Sequence, residues 1–126
     1  MRSAAQAYKN VSRQTSSPRE LEASLLLQAA ARLQSVHDSW DDDVTSDVRT
    51  KLDDALLYNR KLWSVFLTDM ADVNHPMPRE LRQNVANIGI FVMNHTVSVM
   101  SNPRPEQLGS LININREIAA GLLGRA

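Results

Sequence analysis

The stretch KLDDALLYNRKLWSVFLTDM, residues 51–70, decides how this chain folds. Its apolar residues recur three and four positions apart, a spacing typical of one face of an α-helix. They are Leu52, Ala55, Leu56, Leu62, Trp63, Phe66, Leu67 and Met70. Asn59 stands in this stripe where a leucine would be expected. Because a buried amide without a partner costs about 1–3 kcal/mol, we expect Asn59 to find one.

The composition around this stretch indicates a globular domain. The chain has 126 residues, of which 43% are hydrophobic and 22% are charged, which is enough to bury a core but short for two ordinary domains. We therefore predict a single helical domain over residues 1–126. The absence of cysteine excludes a disulfide scaffold, a thiolate metal site and a cysteine nucleophile.

The charge pattern argues against a nucleic acid partner. The formal net charge is zero, and no segment carries the dense basic stripe that binding to a phosphate backbone needs. The middle of the chain is acidic. The N-terminus does not resemble a signal peptide, and no stretch approaches the roughly 18 apolar residues of a membrane span. We expect a cytoplasmic protein that does not bind membranes.

Local signals along the chain predict an all-α fold, a compact bundle of about five helices joined by short breaks that contain Pro or Asp. There are four glycines and no hairpin signal. The first predicted helix places Ala4, Ala7, Tyr8 and Val11 at helical spacing. Because isolated short helices are unstable in water, we expect residues 1–14 to be mobile or docked on a partner.

The clearest helix start lies at Ser17. Its side chain can cap the first turn, Pro18 suits the first helical position, and Glu20 can reach back to the cap amide. The helix is predicted to run to about Val36. Leu25 and Leu26 belong to an apolar sector wider than one neighbouring helix would cover.

Two further helices are predicted from about Thr45 to Ala71 and from Pro78 to about Ser101. The centre of the second, Ile88–Met93, is apolar nearly all round, which predicts burial at the middle of the bundle. Gly89 costs roughly 1 kcal/mol against alanine in a helix, so we expect a close helix–helix approach there. After the break at residues 102–105 comes the last helix.

That last helix carries a second asparagine in apolar register, Asn115. Like Asn59, it precedes an arginine. Two interpretations stay open. The asparagines bond to backbone at loops or helix ends and so set the packing register of the helices, or they line a groove and meet the backbone of a partner.

No catalytic or metal site is indicated. His37, His75 and His95 have no second ligand at metal-site spacing, and phosphate-loop and nucleophile-elbow motifs are absent. The acidic run at residues 41–43 with Asp47 lacks the glycine and glutamate of a calcium-binding EF-hand. We therefore expect neither an enzyme nor a cofactor.

Taken together, the ordered segments resemble the FlaF family, flagellar biosynthesis regulators of alphaproteobacteria. No single segment is specific, whereas the ordered set is. The matching segments are Ala7-Tyr8, Ser17–Ala23, Asn59–Trp63, Met77–Arg82, Ile88–Val92, Leu111–Arg116 and Gly121-Leu122.

The resemblance implies a cytoplasmic secretion chaperone that binds flagellin and regulates its synthesis, with FlbT as a second partner and an indirect link to the flagellar export apparatus. The alternative is a post-transcriptional regulator that acts on flagellin mRNA, directly or through FlbT. A helical module without a ligand is the third possibility.

For the chaperone we predict a groove between the helices at residues 18–36, 45–71 and 78–101, which would take an amphipathic helix. The candidate partner-binding residues are Leu25, Leu26, Asn59, Leu62, Trp63, Phe66, Arg82 and Phe91. The residues expected to be structural are Ser17, Pro18, Glu20, Pro78, Gly89 and Asn115.

Overall fold

The computed structural model describes residues 17–40 and 45–124, and within them all regular structure is helical. The all-α prediction is confirmed. Four α-helices stand where about five were expected, and the first predicted helix lies outside the described residues. The helices are α1 (Pro18–Asp38), α2 (Ser46–Met70), α3 (Arg79–Ser101) and α4 (Leu108–Leu122), with a 3₁₀ turn at Pro105–Gln107 before α4.

The helix starts follow from short polar side chains and prolines. The hydroxyl of Ser17 accepts a hydrogen bond from the Glu20 amide at 3.4 Å, and Pro18 lies in the first turn of α1. The return bond expected from the Ser17 amide to the Glu20 side chain does not form between these residues, so only half of the capping box is present. Thr45 caps α2 in the same way through the Val48 amide.

The start of α3 differs by one residue from its prediction. Pro78 precedes the helix as its cap residue, with an extended ψ of 145°, and Arg79 is the first helical residue. A proline cap residue offers no side-chain acceptor to the first amides. Instead, the Arg82 side chain, one turn into α3, donates hydrogen bonds to backbone carbonyls of the segment that precedes the helix.

The helices pack in the spatial order α4, α1, α2, α3. Extended contacts join α1 to α4, α1 to α2, and α2 to α3. The core lies between α1, α2 and α4, with Trp63, Leu26, Leu33, Leu52, Leu56, Leu108 and Leu111 among its largest fully buried side chains. No helix among the described residues is long and apolar enough to cross a membrane.

The expectation that Ile88–Met93 lies at the middle of the bundle is wrong. Ile90 is 54% exposed and Phe91 is 47% exposed. The buried face of α3 consists of Gly89, Val92, Thr96 and Val99. Because α3 packs extensively on α2 alone, it buries only one narrow face fully. Val85, Ile88 and Met93 pack against the edge of the core and are partly buried, whereas Ile90 and Phe91 are exposed.

The close approach predicted at Gly89 is confirmed. A Cβ atom at this position would lie 2.7 Å from Cδ2 of Leu67 and 3.2 Å from Cε3 of Trp63. Both distances are shorter than ordinary carbon–carbon contacts. The absence of a side chain at Gly89 thus lets α3 rest directly on the Trp63 ring.

Candidate partner-binding surface

A buried polar layer crosses the core at the level of the two asparagines. The Trp63 indole N–H donates to Oδ1 of Asn115 at 2.9 Å, and Nδ2 of Asn115 donates to Oδ1 of Asn59 at 2.7 Å. A longer bond of 3.4 Å joins Nδ2 of Asn115 to the Leu26 carbonyl. All three polar side chains are fully buried, so the layer ties α1, α2 and α4 together.

This layer bears on the two interpretations of the asparagines. Their partners are mainly side chains on neighbouring helices, whereas the sequence suggested backbone at loops or helix ends. Nδ2 of Asn59 has no hydrogen-bond partner, which carries a cost because a buried donor without a partner loses its hydration. Such a layer permits one register of α4 against α2, since sliding either helix would break the amide–amide bond.

Six of the eight candidate partner-binding residues lie in the core. They are Leu25, Leu26, Asn59, Leu62, Trp63 and Phe66, each less than one-tenth exposed. Asn115 of α4 packs against Leu26 and Asn59 and bonds to both. In this conformation the residues hold the bundle together, and a partner could reach them only if α4 moved away.

Arg82 is engaged in holding the turn between α2 and α3. Its guanidinium donates to the carbonyl oxygens of Met70, Asp72 and Met77 at 2.9, 3.0 and 3.2 Å. The first of these carbonyls lies at the C-terminal end of α2, where a cation is also favoured by the helix dipole. Arg82 therefore fixes how α3 leaves the turn.

Phe91 is the one candidate of the eight that is exposed. Its ring stacks on His95 with centroids 5.3 Å apart and planes 17° apart. Nε2 of His95 lies 2.8 Å from the Gln107 carbonyl, so this nitrogen must carry the proton. The hydrogen bond holds the end of the α3–α4 connection against the side of α3. It also fixes the position of the His95 ring on which Phe91 stacks.

Among residues 17–40 and 45–124, an exposed apolar surface lies on α3 that was not singled out from the sequence. It is a stripe of four residues at 3-4-3 spacing, here called the outer stripe: Ile90, Met93, Val97 and Met100. Ile90, Val97 and Met100 are exposed and Met93 is half-buried. The signal that could have revealed it is its spacing, which repeats that of the buried face one residue further along.

The segment of α3 that carries the outer stripe has no charged side chain of its own. Residues 83–103 contain no Asp, Glu, Lys or Arg. Arg49 of α2 reaches the Met100 carbonyl at 3.0 Å, but its Nε donates to the Asp53 carboxylate at 3.1 Å. The Arg49 guanidinium at this end of the stripe is therefore already paired with a carboxylate.

A cluster of titratable groups lies at the opposite end of the bundle, around Glu22 of α1. Partial burial and the nearby Asp69 carboxylate raise the pKa of Glu22 above its usual value of 4.5, and His75 and Arg19 offset part of this rise. Within residues 17–40 and 45–124, no three His, Asp or Glu side chains are grouped closely enough to hold a metal ion.

A family model for the flagellar protein FlaF matches residues 4–122. The chain belongs to the FlaF family. Searches of curated proteins and of solved structures gave no match. The FlaF match covers all four helices, the polar layer and the outer stripe, and it extends over the segment before α1.

Proposed function

We propose that this FlaF-family protein is a cytoplasmic secretion chaperone that binds flagellin and thereby also regulates flagellin synthesis. The observation that carries the proposal is the exposed outer stripe on α3. A 23-residue helix that packs along one neighbour and leaves Ile90, Val97 and Met100 exposed offers a surface for another helix. Family membership supplies the flagellar context.

An apolar binding surface suits a chaperone, because a chaperone binds and releases its partner without catalysing a reaction. The terminal segments of flagellin are amphipathic and would self-assemble if left free, so a chaperone has to cover their apolar face until export. An exposed helical stripe covers such a face by helix-to-helix packing. The bound segment can later be released without breaking any covalent bond.

The size of the stripe predicts a weak complex unless neighbouring surface takes part. Burying a fully exposed Val, Ile or Met side chain is worth about 1.5–3 kcal/mol, and these residues are already about half covered. Four of them thus contribute roughly 4 kcal/mol before the entropic cost of association is subtracted, so the stripe alone would bind no more tightly than about the millimolar range. Tighter binding would need further contacts beside the stripe, and Phe91 cannot supply them because it lies on another face of α3, beyond Asn87 and Asn94.

Calorimetric titration of the full chain with monomeric flagellin tests the proposal. The Ile90→Asp variant should bind at least about tenfold more weakly, since it places a charge in an apolar contact. The matched control is Val65→Asp, because Val65 is also 54% exposed but lies on α2, outside the stripe. Its affinity should match that of the unmodified chain. If the unmodified chain shows no binding to flagellin, the proposal fails.

A further inference from the structure

We infer that the outer stripe selects an amphipathic helix whose docking face carries no charged residue. The inference deepens the proposed function and rests on it, because it describes which kind of flagellin segment the surface accepts. Two features of α3 carry it: the spacing of the stripe and the absence of charged residues from residues 83–103 of the helix and its end.

The spacing favours a helix as the occupant. Ile90 and Val97 are seven residues apart, and so are Met93 and Met100, which gives a 3-4-3 seam over about 15 Å of helix. Side chains at this spacing form holes that accept the side chains of a second helix running nearly parallel or antiparallel. The two methionines can adjust their rotamers to different partner side chains.

The border of the seam is polar but uncharged. Asn87, Asn94 and Ser101 recur every seven residues along one side of it, and all three are exposed. Gln83 donates to Asn87 at 3.0 Å in the first turns of α3. These groups can exchange hydrogen bonds with Ser, Thr, Asn or Gln on a partner, but none of them can neutralise a charge.

The absence of charge therefore acts as a filter. A Lys, Arg, Asp or Glu on the docking face of a partner would lose its hydration at the seam and find no opposite charge within residues 83–103. A partner with an uncharged face pays no such cost. The complex should also form without electrostatic steering, so its affinity should hardly depend on ionic strength.

A second copy of this chain could also present an uncharged stripe, and we commit to a partner helix instead. A symmetric dimer that rested on two copies of this stripe alone would fall short of the roughly 800 Å² from each partner that a stable interface needs, whereas a flagellin segment can extend beyond the stripe. Sedimentation at micromolar concentration should accordingly show a monomer. A dimer that the Val97→Lys substitution dissociates would overturn the assignment.

The decisive experiment titrates flagellin into the full chain at 50 and 500 mM NaCl. The dissociation constant should change by less than about twofold, because no charged pair at the seam is available to be screened. Val97→Lys should weaken binding at least about tenfold at both salt concentrations, whereas Val97→Met should retain it. Val65→Lys on α2 serves as the matched control and should bind as the unmodified chain does.

The possible outcomes separate the inference from the proposed function. Absence of flagellin binding at both salt concentrations would reject the proposed function. Binding that Val97→Lys leaves intact, or that weakens tenfold between the two salt concentrations, would reject the uncharged seam while leaving flagellin as the partner.

Discussion

The substitution Asn115→Ala is the most direct test of the buried polar layer. It removes the acceptor of the Trp63 indole N–H and the donor to Oδ1 of Asn59, two bonds of 2.9 and 2.7 Å. The Trp63 indole N–H and Oδ1 of Asn59, which lose their partner, are fully buried, so water cannot replace Asn115 unless the helices separate. Alanine also leaves a small void where the amide stood.

The expected loss can be worked out from these groups. A buried donor or acceptor left without a partner costs about 1–3 kcal/mol, and two such groups together with the void cost roughly 3–5 kcal/mol. A domain of this size is typically stable by about 5–15 kcal/mol. The variant should therefore lose a large share of its unfolding free energy, with a melting temperature lower by roughly 10 °C or more.

Urea unfolding followed by circular dichroism at 222 nm measures this loss. Asn113→Ala is the control, because Asn113 lies on the same helix but is exposed and should change stability by less than about 0.5 kcal/mol. The double variant Asn59→Ala/Asn115→Ala should lose less than the sum of the two single losses, since the two amides interact directly. If Asn115→Ala costs no more than Asn113→Ala, the layer as described is wrong.

Two further predictions concern packing and pH. Gly89→Ala should lower the unfolding free energy by roughly 1–2 kcal/mol, because the new Cβ would lie 3.2 Å from the fully buried Trp63 ring and overpacking against that ring outweighs the gain in helix propensity. Gly109→Ala, whose Cβ would meet nothing within 4 Å, should stabilise the protein, and equal effects in urea unfolding would contradict the close approach. Because the pKa of Glu22 is raised in the folded state, stability should fall as pH rises from about 4.5 through that pKa. Glu22→Gln should therefore stabilise the fold at pH 7 but not at pH 4, and an equal gain at both pH values would refute this.

Much of the fold could be predicted from local signals. The start of α1 depends on Ser17 and Pro18, which act within one turn and need no knowledge of tertiary structure. Asn59 and Asn115 could be singled out because each interrupts an apolar stripe. Their direct bond could not be predicted, since periodicity shows which face a residue occupies but not which residue of another helix lies opposite.

The position of α3 could not be predicted for a related reason. Two stripes with identical spacing run along this helix, offset by one residue, and the one with the larger apolar side chains is exposed. The buried stripe includes Gly89 and Thr96, because small side chains allow the two backbones to come close. Judged by side-chain size alone, the outer stripe would be expected to be buried. That criterion misses the close contact between α3 and Trp63, which depends on the absence of a side chain at Gly89.

The same packing explains why the candidate groove residues lie inside the protein. Leu26 and Trp63 were expected to offer apolar surface to a partner, and they offer it to α4 instead. The wide apolar sector of α1 was correctly identified. The sequence could not show whether a helix of the same chain or a helix of a partner protein covers it. The role of these residues in binding a partner stays a prediction.

The one-sided attachment of α3 predicts that this helix can open separately from the rest of the bundle. α1, α2 and α4 share the polar layer, whereas α3 has extended contacts with α2 alone. Backbone amides of α3 should therefore exchange with deuterium through a partial opening of lower free energy than the global unfolding that releases the amides of α2. Each such opening would uncover one face of the Trp63 indole while the hydrogen bond at its nitrogen stays intact.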